Sequence, residues 1–120
     1  MILADTSIWI DHFRPGTNGL RDLLNEGQVA IHPFVIGELA CGSLKDRALI
    51  LTSLNTLPPV RAATHGEVIA LLDQHKLWGL GLGWVDVHLL ASTLLSNCRL
   101  WSGDDRLAKA AKRLRCAVVP

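Results

Sequence analysis

Met1-Ile2-Leu3-Ala4-Asp5-Thr6-Ser7 is an apolar run of strand length that stops abruptly at an acid and two hydroxyl residues. Short apolar runs bounded in this way read as strands buried on both faces, the kind that a parallel sheet uses. In a parallel α/β sheet, ligands bind outside the carboxyl ends of the strands, which makes Asp5 a candidate site residue. Glu38, Asp86 and Asp104 share its situation, each lying where an apolar segment stops or near the start of a predicted helix. Acids converging on one sheet edge repel each other unless a cation neutralises them, and hard divalent cations prefer oxygen donors. The four carboxylates predict a metal site and metal-dependent phosphate chemistry.

Outward from this stretch, the apolar period switches repeatedly between strand-like and helix-like. Leu20, Leu23 and Leu24 form a helix with Asn18 as N-cap and Gly27 as its stop. Val29 to Ile31 is a second strand, and Pro33 opens a helix that carries Glu38 within its first two turns. A helix through Ile50, Leu51, Leu54 and Leu57 is ended by Pro58-Pro59, and Val60 starts a short strand or an extended link. Thr64 to Glu67 matches a capping box before Val68. Gly79, Gly81 and Gly83 make a loop into the helix opened by Asp86. Arg99 to Ser102 reads as a strand, Asp105 to Arg113 as a basic helix, and Ala117 to Val119 as a closing strand. The fold class expected is α/β: a single domain over residues 1–120, with a central parallel sheet of four to five strands and helices on both faces.

Composition narrows the classes. A chain of 120 residues, 49% hydrophobic, fits one core, and a second domain would leave both halves too small. Net charge is +1, so no global field advertises nucleic acid. However, Arg99, Arg106, Lys109, Lys112, Arg113 and Arg115 gather in the last quarter, as a solvated helix face or a phosphate-backbone patch. Cys41, Cys98 and Cys116 are odd in number and lack a CxxC pair, reading as small buried residues of a reducing compartment. Asp5 and Asp11 flank the first apolar residues where a signal peptide would need basic ones, and no apolar run reaches the ~18 residues of a membrane span. A cytoplasmic protein without a membrane segment is expected.

Each acid also has a purely structural role open to it. Asp86 and either Asp104 or Asp105 can serve as helix N-caps, and Glu38 can be a half-exposed helix residue. All four at one sheet edge is a much rarer coincidence, and the chemistry that needs such a set is phosphodiester hydrolysis. There the attacking water must lose a proton and the leaving oxygen must carry developing charge, both of which a divalent ion assists.

Asp5-Thr6-Ser7-Ile8-Trp9-Ile10-Asp11, Glu38 on its helix, Asp86 at a helix start and Leu100-Trp101-Ser102-Gly103-Asp104-Asp105-Arg106-Leu107 together resemble the PIN-domain nucleases, most closely the VapC-type toxins of toxin–antitoxin systems. The resemblance runs from residue 2 to the closing strand. It implies a Mg²⁺- or Mn²⁺-dependent endoribonuclease that cuts structured RNA such as tRNA or rRNA. Asp5, Glu38, Asp86 and Asp104 would be both its catalytic and its metal-binding acids. Thr6, or else Ser7, would orient Asp5 or the water network, and Ser102 stands where the family carries Thr or Ser. It also implies a homodimer, and silencing by a VapB-type antitoxin whose tail enters the active groove. Two departures matter. Asp104-Asp105 is a doublet in which register favours Asp104, leaving Asp105 to cap the helix or bind metal through water. Gly103 replaces a side chain, which would loosen the loop.

Other features carry less. His88 falls two residues after Asp86 and so points elsewhere on a helix, which favours a surface or packing role. His12, His32, His65 and His75 have no zinc-ligand spacing. Trp9, Trp84 and Trp101 lie near the acids and are read as packing, with stacking on RNA bases as the functional alternative. Gly79 to Gly83 lacks a phosphate-loop pattern. A receiver-like phosphotransfer domain shares the length and alternation but needs a paired acid after Asp5 and a late strand-end Lys, both missing; a DxD phosphatase fails at Ser7. A catalytically silent PIN-like binding module stays open. Ile50, Leu54, Val68 and Leu72 are expected to carry surplus apolar surface for self-association. An antitoxin arginine is expected in the acidic pocket, with an apolar helix near Trp9 and Phe13.

Overall fold

The computed structural model describes residues 1–15 and 18–118. At its centre β1 (Ile2–Ala4) pairs in parallel with β2 (Val29–Ala30) on one side and with β3 (Arg99–Trp101) on the other. The register sets Leu3 beside Ala30 and Leu100. Successive strand side chains point to opposite faces, and Leu3 and Ala4 are both wholly buried. Both faces of β1 are therefore covered, as its unbroken apolar run requires.

Three strands form the sheet among the described residues, not the four to five expected. The outer positions are single parallel bridges, Ile31 with Pro59 beyond β2 and Leu100 with Ala117 beyond β3. At the first edge Ile31 N–H donates to Pro58 C=O and Val60 N–H donates to Ile31 C=O, each at 2.9 Å. Pro58 and Pro59 offer no N–H, so pairing cannot propagate through them. At the second edge Leu100 N–H donates to Cys116 C=O at 2.7 Å, and Val118 N–H donates to Leu100 C=O at 3.0 Å. The closing strand expected over 117–119 is reduced to this bridge, and Val119 lies outside the described residues.

Seven helices complete the described chain: α1 (Thr6–Phe13), α2 (Leu20–Asn25), α3 (Pro33–Cys41), α4 (Arg47–Leu54), α5 (His65–His75), α6 (Trp84–Leu95) and α7 (Asp105–Arg113). α1 packs on α2 and α3, α3 on α4, α5 on α6, and both α6 and α7 on β3. The capping box before α5 is present, with Thr64 and Glu67 satisfying each other's backbone N–H. Gly19, in the left-handed region at φ +87°, takes the N-cap position expected of Asn18. Asn18 acts from one residue back, accepting from Leu20 N–H at 3.2 Å and donating to Ile8 C=O at 2.9 Å. α4 stops at Leu54 and does not reach Leu57, because a residue before proline is pushed out of the helical region. The extended segment 61–63 is tied to α6 by Ser96 and Ser92 hydroxyls, which accept from Arg61 and Ala63 N–H.

The apolar residues expected to drive association are largely spent inside. Leu54 and Val68 are buried core, and Ile50 and Leu72 pack partly against it. They form the inward stripes of α4 and α5; Leu49 and Ile69, their sequence neighbours, are the exposed ones at 69% and 39%. Cys98 and Cys116 are buried as expected, whereas Cys41 is exposed; all are free thiols. Among the described residues no helix is long and apolar enough to cross a membrane.

His32 joins β2 to α3. Its Nδ1 accepts from Phe34 N–H at 2.9 Å, so the imidazole caps the helix as a neutral acceptor while only 1% exposed. Burial, reinforced by the nearby His88, pulls its pKa from 6.5 to about 4. The unfolded chain takes up this proton first, so the stability His32 contributes is complete above pH 6.5 and declines as pH falls toward 4. His32→Asn retains a capping oxygen and removes the titration. Its stability, followed by urea unfolding from pH 7 to pH 4, is expected to fall less steeply than that of the wild type. An unchanged slope would contradict this role.

Candidate active site

Asp5 stands at the carboxyl end of β1, where its backbone N–H donates to Trp101 C=O of β3 at 2.9 Å. Its side chain is the N-cap of α1, accepting from Ile8 N–H at 3.2 Å. A carboxylate only 6% exposed must be supplied with donors, and two serines supply them. Ser7 donates to Asp5 Oδ1 and Ser102 donates to Asp5 Oδ2, each at 2.5 Å. Each serine in turn accepts from the β3–α7 loop: Ser7 Oγ from Gly103 N–H and Ser102 Oγ from Asp104 N–H, both at 2.9 Å. Two parallel relays thus run from that loop into one carboxylate.

Gly103 therefore has a use opposite to the expected loosening. A Cβ there would come within 3.2 Å of Ser7 Oγ, so its absence lets the loop close onto Ser7. Thr6 turns away from Asp5 and donates to Glu38 Oε1 at 2.7 Å, tying α1 to α3. Ser7 is the residue that the sequence underrated: Thr6 and Ser7 are chemically alike, and only the helical turn after Asp5 decides which one faces back.

Asp104 is the N-cap of α7, its Oδ1 accepting from Arg106 and Leu107 N–H. This settles the doublet as a cap: Asp105 is the first helical residue and is exposed. Asp86 sits one turn into α6, where Oδ2 accepts from Gly83 N–H at 2.9 Å. The loop leading to Gly83 passes beneath the Arg106 side chain of α7. Gly81, at φ +79°, lies under Arg106, so close that a Cβ would fall 2.8 Å from Arg106 Nη1.

Asp104, Asp5 and Glu38 lie close enough to Asp86 for their negative charges to act on it. Asp86 has its pKa raised, first by burial against the lowering bond from Gly83, then by the negative charges of Asp104, Asp5 and Glu38. Burial and like charge both disfavour its ionised form. Among the described residues, Glu38 Oε2, Asp86 Oδ1 and Asp104 Oδ2 have no hydrogen-bond partner. The donor set is all oxygen and strongly negative, which suits a hard divalent ion. Among the described residues, no three acidic, histidine or cysteine side chains stand close enough to close a metal shell alone. A cation that keeps several waters and takes few carboxylates fits such a spread set.

The remaining candidates divide. Trp9 is buried, Trp101 half-buried and Trp84 41% exposed. His88 is buried between Phe34 and Trp84, with ring centroids 4.7 Å from each, the packing role expected of it. Of the basic residues, Arg99 and Arg113 donate to backbone carbonyls of Ala117 and His75, which makes them structural. Arg106, Lys109 and Lys112 remain exposed on α7.

Comparison with known proteins agrees with this geometry. The PIN domain profile matches residues 2–113. Two curated relatives, both named Ribonuclease VapC32, come from Mycobacterium tuberculosis strains CDC 1551 / Oshkosh and ATCC 25618 / H37Rv. Each is 46% identical over 111 residues, spanning 92% of this chain and 90% of the relative. A profile match over nearly the whole chain, together with that identity, shows that the chain belongs to the PIN-domain family, among the VapC-type ribonucleases.

Proposed function

We propose that this chain is a toxin endoribonuclease that hydrolyses RNA phosphodiester bonds at Asp5, Glu38, Asp86 and Asp104, using Mg²⁺ or Mn²⁺. What carries this reading is that Asp104, Asp5 and Glu38 all lie close enough to Asp86 for their negative charges to act on it, adding to the burial that raises its pKa first. PIN nucleases generally use divalent metal ions; when bound, such an ion lowers the pKa of the attacking water and neutralises charge on the leaving oxygen. Glu38, Asp86 and Asp104, each with one uncommitted carboxylate oxygen, would hold it directly or through its waters. Asp5, with both carboxylate oxygens accepting hydrogen bonds, is held in place at the centre. Thr6 and Ser102 support the set by holding Glu38 and Asp5, Ser7 does the same from α1, and Asp105 adds charge at the rim. One domain over residues 1–120, a cytoplasmic setting and a structured RNA substrate, tRNA or rRNA, complete the reading.

The partner proposed is a VapB-type antitoxin. A groove of about 550 Å³ runs from Glu38 past Ile10, Phe13, Leu39, Leu44 and Ile50, mostly apolar, with Arg14, Lys45 and Asp46 also on its walls. An amphipathic segment would fill it while an arginine at its tip pairs with the site carboxylates. Phe13 lines this groove, but Trp9 lines a neighbouring cavity. The chain is also proposed to form a homodimer, with Leu49 and Ile69 replacing the expected Leu54 and Val68 among its exposed apolar groups.

Asp5→Asn preserves the cap and removes the charge. RNA cleavage is expected to fall by about a hundred-fold or more, with the melting temperature retained. Wild-type activity in this variant, or wild-type cleavage that persists in excess EDTA, would refute the mechanism. Ile10 is 40% exposed, so Ile10→Asp is expected to leave cleavage intact and weaken neutralisation by a co-expressed antitoxin; undiminished neutralisation would move the partner out of the groove. Light scattering at high micromolar concentration should report a mass near twice 13.1 kDa, and a monomer would contradict the dimer.

A further inference from the structure

Phe34, His88, Trp84 and His65 form a continuous row of rings that meets the acids at Phe34. Phe34 lies one helical turn before Glu38 on α3 and shares its face, whereas Trp84, two residues before Asp86 on α6, shares the face of His88. His88 bridges them, with centroids 4.7 Å from both and interplanar angles of 60° and 85°. His65, at the start of α5, meets Trp84 at 5.2 Å and 49°. Buried aromatic rings would need no explanation, but the two large rings here stay open: Phe34 is 38% exposed and Trp84 41%. His88 between them is 6% exposed, so both outer rings are seated on a fixed base. Neither imidazole lies flat on Trp84, since both contacts are edge-on or tilted.

A cation lies over the loop that leads into Trp84. Arg106 crosses Gly81, three residues before Trp84, and makes no ion pair among the described residues. Exposed rings together with an unpaired guanidinium are what a single-stranded nucleic acid uses, the rings for base faces and the cation for the backbone.

We propose that Phe34 and Trp84 are a stacking subsite for an unpaired nucleobase of the RNA substrate, flanking the cleaved bond, with Arg106 on the adjoining phosphate. His88 is a positioning residue that holds the two rings apart. The proposal rests on the ribonuclease reading and adds a requirement to it: a substrate position beside the cut must be unpaired.

The test uses the full chain in EDTA, where nothing is cut, with a fluorescein-labelled hexa-adenylate RNA and an abasic oligomer of the same length. Trp84→Ala and Phe34→Ala are expected to weaken hexa-adenylate binding by between about five-fold and about a hundred-fold. Trp84→Phe should stay within about two-fold of wild type, and all variants should bind the abasic oligomer alike. If Trp84→Ala fails to fold, Trp84→Leu keeps the apolar contact with His88 and removes the stacking face. In cleavage assays the same variants should raise KM and leave kcat. Wild-type binding of hexa-adenylate in Trp84→Ala and Trp84→Leu would overturn the subsite, as would equal losses on the abasic oligomer. So would variants that lose only the antitoxin, which would make the rings a protein contact. Failure of wild-type protein to cut RNA with Mg²⁺ or Mn²⁺, while ring-dependent binding persists, would instead remove the catalytic reading.

Discussion

The buried carboxylate of Asp5 is the point from which the rest of the site is arranged. Removing a negative charge from water is costly unless donors replace the solvent, and here a helix N–H and two serine hydroxyls do so. Each of those hydroxyls is oriented by an amide of the β3–α7 loop. Hydrogen bonds in such chains reinforce one another in a low-dielectric setting. The same charge therefore ends a strand, starts a helix and fixes the loop that presents Asp104. A site residue and a structural cap are the same group.

The other acids are held by equally local means that leave them chemically available. Asp104 and Asp86 each spend one oxygen on backbone N–H groups at helix starts, where the helix dipole also favours a negative charge. Glu38 spends one on Thr6. This arrangement resolves the tension between stability and function, because each carboxylate is anchored without being used up. What remains is mutual repulsion, which adds to burial in raising the pKa of Asp86. A bound cation would relieve it.

Gly81 and Gly103 show how close approach is purchased by omission. Gly81 adopts a left-handed backbone under Arg106, and Gly103 leaves room for Ser7. Both contacts join segments far apart in the chain, and both set the position of an acid: Asp86 through Gly83, Asp104 through the loop. The family relation to VapC-type ribonucleases is thus matched by a physical account of how this chain assembles such an edge.

The apolar run before Asp5, the capping box at Thr64, the proline at the start of α3 and the helix over 105–113 were legible in the sequence, because they depend on residues within one turn of each other. The local settings of the four acids were legible too: Asp5 follows a strand, Asp86 and Asp104 stand at helix starts, and Glu38 lies on the helix that Pro33 opens. Other features were decided only in three dimensions. The strand beyond β2 shrank to a single bridge because pairing needs a partner with free N–H groups, which Pro58 and Pro59 deny. The choice between Thr6 and Ser7 depended on the helical turn after Asp5, which returns Ser7 to Asp5 and sends Thr6 to Glu38, a residue distant in sequence. Leu54 and Val68 went to the core while Leu49 and Ile69 stayed outside, because helix rotation is set by packing. Local hydrogen bonding and periodicity are written in neighbouring residues; long-range register, ring placement and the facing of one charge toward another exist only once the sheet has closed.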